Sequence, residues 1–269
     1  MSPRVLLSLS NETGLIELLK DATSIDGLKK SDNYPVEKGL RGYFELAYGP
    51  PSGQDFKRAQ NNFMHSLVGY SLVSYLLGLK DRHNGNIMIN TKGQLIHIDF
   101  GFAFGMAPGH EWSMERAAFK LTKEYADVLD GFGSPKWEEV RAEKPRAVYP
   151  GVPYAPPPPA NTGRHPSPRR PARQFENLFL QGFKAARSSS QVALGLVEIM
   201  MYRSNYPCFT GFRYGGSVAL TRFRERLMLH VKDEADIDRR VRKLIGNAHD
   251  HWGTNFYDRF QKWTNGLAV

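Results

Sequence analysis

The stretch LKDRHNGNIMINTKGQLIHIDFGFAFG, residues 79–105, constrains this chain more than any other. NIMIN and QLIHID are short apolar, β-branched runs separated by TKG, a turn that ends in glycine, and together they predict a β-hairpin. A hairpin brings its two ends together. Asp81 and Asn86 precede or open the first run and Asp99 closes the second, so their side chains can converge although up to eighteen positions separate them. An ordinary hairpin with turn and cap residues, and with His83 and His97 as satisfied polar groups, is the bland reading. Agreement of Asp81, His83, Asn86 and Asp99 at these spacings argues instead for chemistry.

Convergent hard oxygens suit Mg²⁺, which takes one or two protein ligands and fills its shell from phosphates and water. Asp-x-x-x-x-Asn, followed after a hairpin by Asp-Phe-Gly, follows the pattern of a kinase catalytic loop and metal-binding loop. Phosphoryl transfer makes these demands: one group orients the attacking hydroxyl, and oxygen ligands hold the cation that neutralises the phosphates. Neither half of the pattern is specific alone; the two joined by a hairpin of suitable length are.

From Asp55 to Lys80, apolar residues recur at three- and four-residue steps (Phe56, Ala59, Phe63, Leu67, Tyr70, Val73, Leu77), which predicts a helix with Asp55 placed to cap its first turn. It is nearly apolar all round after Leu67 and is expected to be central. Residues 134–173 hold eleven of the seventeen prolines, including APPPPA and HPSPRRPARQ. Proline fixes the backbone dihedral and withholds a donor, so this segment is expected to be a disordered insert, with an SH3-type docking site as the sharper alternative. Beyond it, FENLFLQGFKAAR, QVALGLVEIMMYR, SVALTRFRERLML and DEADIDRRVRKLIGNAHD read as amphipathic helices, and TNFYDRFQKWTNGL closes the chain. The fold class is α+β, mainly helical, with one small hairpin.

The net charge of +9 is largely local: eight Lys or Arg against three acids give the insert alone +5. A nucleic-acid partner therefore loses weight, whereas a membrane surface or a phosphate-bearing ligand stays compatible. Cys208 is the single cysteine, so no intrachain disulfide forms. No apolar run reaches the roughly 18 residues a membrane span needs, and the apolar patch in MSPRVLLSLSNETG is too short for the core of a secretory leader.

One detail departs from ordinary protein kinases: the order is Asp-Arg-His, not His-Arg-Asp. KDRHNGNIM…HIDFGF resembles the phosphoinositide-kinase family, and Lys80, Gly85 and Phe102 point to its phosphatidylinositol 4-kinases. ETGLIELLKDATSIDGLKK, AQNNFMHSLVGYSLVSYLL, AFKLTKEYADVLDG, FLQGFKAAR, LVEIM, PCFTG, LTRFRERL and FYDRFQKWTNG are similar to the type III enzymes, with GLIE…TSI, VEIM and TNG favouring the beta class. The resemblance covers nearly the whole chain outside the insert.

That resemblance implies the large (C-terminal) lobe of a protein-kinase-like fold, its hairpin carrying the catalytic and metal-binding loops. Residues 1–14 would be the last small-lobe strand and hinge, 15–133 and 174–269 the two parts of the lobe, and 134–173 the insert. Asp81 and His83 would act on the inositol hydroxyl, and Arg82 would brace their loop. Asn86 and Asp99 would hold Mg²⁺ (Mn²⁺ as an alternative) with ATP, whose adenine would meet the backbone near Ser8 and Leu9. Phe100 and Gly101 would open an activation loop running to about Thr122, with Arg116 and Lys120 facing the lipid and Glu111 and Glu115 opposing them. Cations this sparse suit plain phosphatidylinositol better than a multiply phosphorylated headgroup.

The resemblance also implies a cytoplasmic, peripheral membrane protein of the Golgi, recruited by small GTPases or adaptors through regions not in this chain. No phosphate-covering loop with its lysine lies upstream of the hinge, so residues 1–269 alone are expected to transfer little phosphate. A non-catalytic binding or regulatory fragment is the alternative from another class. The aromatics Phe256, Tyr257, Phe260 and Trp263 beside Arg259 and Lys262 suit either a bilayer interface or packing into the lobe.

Overall fold

The structure, a computed structural model, describes residues 6–10, 13–108, 115–130, 171–210 and 216–269. Most of the expected insert, together with Glu111, lies outside the described residues. Two short strands come first, β1 (Leu6–Ser8) and β2 (Gly14–Ile16), paired antiparallel. A third, β3 (Ala22–Ser24), runs into α1 (Ile25–Lys29), where the Ser24 side chain accepts from the Gly27 N–H and caps the helix. Helix α2 (Gly39–Tyr48) and the 24-residue α3 (Gln54–Leu77) follow.

The hairpin is present as β4 (Ile87–Asn90) and β5 (Leu95–His97), but it does not stand alone. β3 adds to its free edge, giving an antiparallel sheet in the order β3–β4–β5 with Ala22 opposite Asn90 and Ile87 opposite His97. The expectation of one small hairpin is corrected twice: β3 adds a strand to it, and β1 with β2 forms a second antiparallel pair. The turn demands Gly93, whose φ of +79° an L side chain rarely adopts and whose missing Cβ would stand 3.0 Å from the Ala59 carbonyl.

Helix α3 is the spine. It starts one residue earlier than expected, is N-capped by Gly53, and carries Asp55 inside its first turn, paired with Arg58. It ends at Gly78, left-handed at φ +59°, rather than at Lys80. Phe56, Phe63, Met64 and Leu67 are fully buried along it. They pack with Phe44 of α2, Ile87, Ile89 and Leu95 of the sheet, and Tyr125 of α4 (Lys123–Val128). The same core takes in Phe175, Phe179 and Phe183 of α5 (Pro171–Ser188). The described part of this helix begins at Pro171, so residues 171–173 of the expected insert are helical and the boundary expected at 174 is corrected.

Helices α6 (Ser190–Met201), α7 (Pro207–Thr210) and α8 (Gly216–Arg226) form a second, smaller core from Leu194, Val197, Phe209, Ala219 and Phe223, and Phe104 plugs into it. Two helices complete the chain, α9 (Glu234–Ala248) and α10 (Trp252–Asn265). The Asp233 carboxylate caps α9, accepting from the N–H groups of Ala235 and Asp236. Asp233→Ala is expected to cost about 1 kcal/mol, read as a melting point lowered by roughly 2–4 °C; an unchanged melting point would show that the cap contributes nothing.

Candidate functional site

The end of the three-stranded sheet opposite the β4–β5 turn carries the candidate residues. After Gly78 the chain turns back on itself, and Asp81 adopts φ +65°. Asp99, at the far end of β5, adopts φ +55°. Aspartate tolerates the left-handed region better than most residues, yet both positions depart from the ordinary backbone, as functional sites often do. The ladder continues one residue beyond the strands: Ile98 N–H donates to Asn86 O at 3.1 Å. Asn86 is thereby held opposite Ile98, and Asp99 follows at once.

Asn86 Nδ2 donates to the Asp81 backbone oxygen at 3.0 Å and approaches Asp81 Oδ2 at 3.4 Å. Arg82 ties the two loops together. Its buried guanidinium donates to Lys80 O at 2.9 Å, to Ile98 O at 2.8 Å and to the Asp99 backbone oxygen, and it lies 5.6 Å from the centre of the Phe100 ring. All those donors are spent on carbonyls, so Arg82 braces and does not reach outward.

His83 Nδ1 accepts from the Gly85 N–H at 3.1 Å, which in the neutral ring leaves the proton on Nε2, 3.8 Å from Asp81 Oδ1. Burial pulls the His83 pKa down, the nearby Asp81 carboxylate opposing it, which favours the neutral ring. His97 is buried and stacked on Tyr70 with ring centroids 4.5 Å apart; burial lowers its pKa to about 3. It packs the sheet and takes no part in the site.

Asp99 is exposed, and its Oδ1 accepts from the Gly101 N–H at 3.2 Å. Phe100 is half exposed. Beyond it the chain pairs back toward the end of α3: Lys80 N–H donates to Phe102 O at 2.9 Å and Phe104 N–H to Leu77 O at 2.6 Å. An exposed carboxylate and an amide oxygen at one sheet end form a hard donor set that fits Mg²⁺ when phosphates and water fill the other positions.

Two groups in this region escaped the sequence reading. Glu115, expected only to oppose the activation-loop cations, is buried, and its carboxylate accepts from the Asp81 N–H at 2.5 Å and the Arg82 N–H at 3.3 Å. Burial raises its pKa against the pull of Lys80 and these two N–H groups. Lys80 completes the brace, donating to the carbonyls of Glu115 and Ala117 at 2.8 Å each. The second is Tyr257 of α10, whose hydroxyl donates to Asp81 Oδ1. Burial first, and that hydrogen bond second, push the phenol pKa well above its usual range, so it stays a donor. Nothing local in the sequence links these residues to Asp81; only the fold does.

Of the remaining expected contacts, Lys120 and the Ser8–Leu9 segment differ from expectation. Lys120 does not face a substrate: its Nζ is buried and bonded to both Asp258 oxygens at 2.7 Å and to Asn84 Oδ1 at 2.9 Å. Arg116 is exposed. Ser8 and Leu9 lie at the end of β1, where Leu9 N–H donates to Thr13 O at 2.9 Å and is spent within the β1–β2 turn.

Among curated proteins the chain is 34% identical to Phosphatidylinositol 4-kinase of Dictyostelium discoideum and 35% identical to Phosphatidylinositol 4-kinase beta 1 of Arabidopsis thaliana, each over 99% of its length. It is 31% identical, again over 99% of its length, to Phosphatidylinositol 4-kinase beta of Danio rerio. The chain spans only 19%, 20% and 26% of these three relatives. Residues 3–148 match the family described as Phosphatidylinositol 3- and 4-kinase. That match takes in Asp81, Asn86 and Asp99 and covers more than half of the residues, and on it the chain belongs to the phosphatidylinositol 3- and 4-kinase family.

Proposed function

We propose that this chain supplies the catalytic lobe of a lipid kinase that moves the γ-phosphate of ATP to the 4-hydroxyl of phosphatidylinositol. The observation that carries this is the clamp at the sheet end. Asn86 touches Asp81, and Arg82 binds the backbone on which Asp99 sits, so the three side chains are held in one neighbourhood from two different loops.

With the proton of His83 on Nε2, Asp81 is the group able to take the proton of the acceptor hydroxyl, and His83 the group able to donate to it. Asn86 and Asp99 would hold Mg²⁺, which when bound screens the charge of the transferring phosphoryl group. Arg116 would meet the headgroup. Leu7, Leu9, Leu15 and Ile16 of the β1–β2 hairpin are exposed, as the face toward a small lobe would be.

No helix among the described residues is long and apolar enough to cross a membrane. The outer face of α10 shows Trp252, Phe256 and Trp263 beside Arg259 and Lys262, while Tyr257 points inward. Aromatic rings flanked by cations suit the surface of a bilayer, where the acceptor lipid resides. Peripheral attachment on the cytoplasmic side of the Golgi, with GTPase or adaptor recruitment, belongs to the same proposal.

The test is phosphorylation of phosphatidylinositol vesicles by the protein purified from its natural source, with labelled ATP and chromatography of the deacylated product. The expected product carries the new phosphate at the inositol 4-position. Label at the 3-position, or none in lipid, would refute the assignment.

A further inference from the structure

Helix α10 reaches the candidate site from 176 residues away, through the contact of Tyr257 with Asp81. One turn on, Gln261 Nε2 donates to the Tyr257 hydroxyl at 2.8 Å, and a further turn on Asn265 Nδ2 donates to Gln261 Oε1. Three side chains spaced four apart form a relay along one helix face that ends on the Asp81 carboxylate.

The helix does not need this relay to stay in place. Asp258 is locked to buried Lys120. The tail is tied by Ala268 N–H to Asp26 Oδ1 at 2.5 Å and by Asn84 Nδ2 to Ala268 O at 2.8 Å. Against that anchored background the Tyr257 hydroxyl has a narrower effect. It takes one carboxylate oxygen, Oδ1, and Asn86 approaches the other at 3.4 Å. A carboxylate turns easily about its terminal torsion, which has broad minima. With Oδ1 pinned, the plane is set and Oδ2 has one direction to face.

We propose that Tyr257 is a positioning residue for phosphoryl transfer, its hydroxyl fixing the plane of the Asp81 carboxylate so that Oδ2 meets the acceptor hydroxyl. This rests on the lipid-kinase reading above. Gln261 keeps the phenol turned toward Asp81, and so the C-terminal helix sets the geometry of a loop on the other side of the sequence.

The test is Tyr257→Phe in the native protein, which removes one oxygen and keeps the ring. The expected result is kcat lowered about tenfold with KM for ATP unchanged, since a misdirected group slows transfer without loosening the nucleotide. In an Asp81→Asn background the same substitution should add nothing, because the partner it orients is already disabled. Gln261→Leu should lower kcat about threefold in the same direction, and it serves as the readout if Tyr257→Phe fails to fold. Wild-type kcat in both variants, or an equal loss with and without the Asp81 carboxylate, overturns the proposal. A native protein with no lipid kinase activity overturns the functional assignment as well, so the two failures are told apart by the wild-type control.

Discussion

Asp99→Asn is expected to reduce phosphatidylinositol phosphorylation by the native protein about 10³-fold while leaving the melting temperature within about 1 °C. The carboxylate is exposed and, among the described residues, its hydrogen bond is to the Gly101 N–H, which an asparagine oxygen can accept equally well. Its φ of +55° is also one that asparagine tolerates, so the loop keeps its shape. What changes is charge. A neutral amide cannot balance a divalent cation against the phosphates, and that electrostatic contribution is worth several kcal/mol in a phosphoryl-transfer site. Full activity in the variant would remove Asp99 from the machinery; lost activity with a matching loss of stability would make it a folding residue.

Lys120→Met should act in the opposite sense, on stability first. The Lys120–Asp258 pair is almost wholly shielded from water, the lysine side chain 1% and the aspartate 7% exposed. Removing one partner strands the other as an uncompensated buried charge, which costs about 3–5 kcal/mol and should lower the melting temperature by roughly 10 °C. Replacing both, as Lys120→Met with Asp258→Leu, should recover most of the loss, because the desolvation of both ions is then avoided. Thermal unfolding of the two variants decides it. A Lys120→Met protein that melts normally but needs more lipid for half-maximal rate would restore this lysine to the headgroup contacts from which the structure removes it.

The hairpin was legible because two apolar runs flank a Gly-ended turn, and closing such a ribbon forces its ends together whatever the rest of the chain does. The long α3 was legible from its spacing, and its central place from its apolar girth. Other features left no local trace. β3 is only Ala22–Ser24, too short to show alternation, and it becomes a strand because β4 offers an open edge. Gly53, not Asp55, caps α3, because the cap depends on where the preceding Pro50–Ser52 turn ends, and no period records that. Lys120 read as a loop cation because sequence shows its charge but not Asp258, 138 positions away. Glu115 and Tyr257 were invisible as parts of the site for the same reason: their partners are backbone N–H groups and a carboxylate brought near only by folding.

The division of the apolar interior into two clusters bears on how the region after Asp99 behaves. Phe104 is lodged among α6, α7 and α8 and not in the larger core that holds α3 to the sheet. The segment after Asp99 is therefore moored twice, in that smaller cluster and, through the Phe104 N–H on Leu77 O, at the end of α3, whose Leu76 packs against both clusters. A disturbance of the smaller cluster would thus reach residues 99–104 and the C-terminal end of α3 together, so the loop after Asp99 and the spine of the fold share one hinge point.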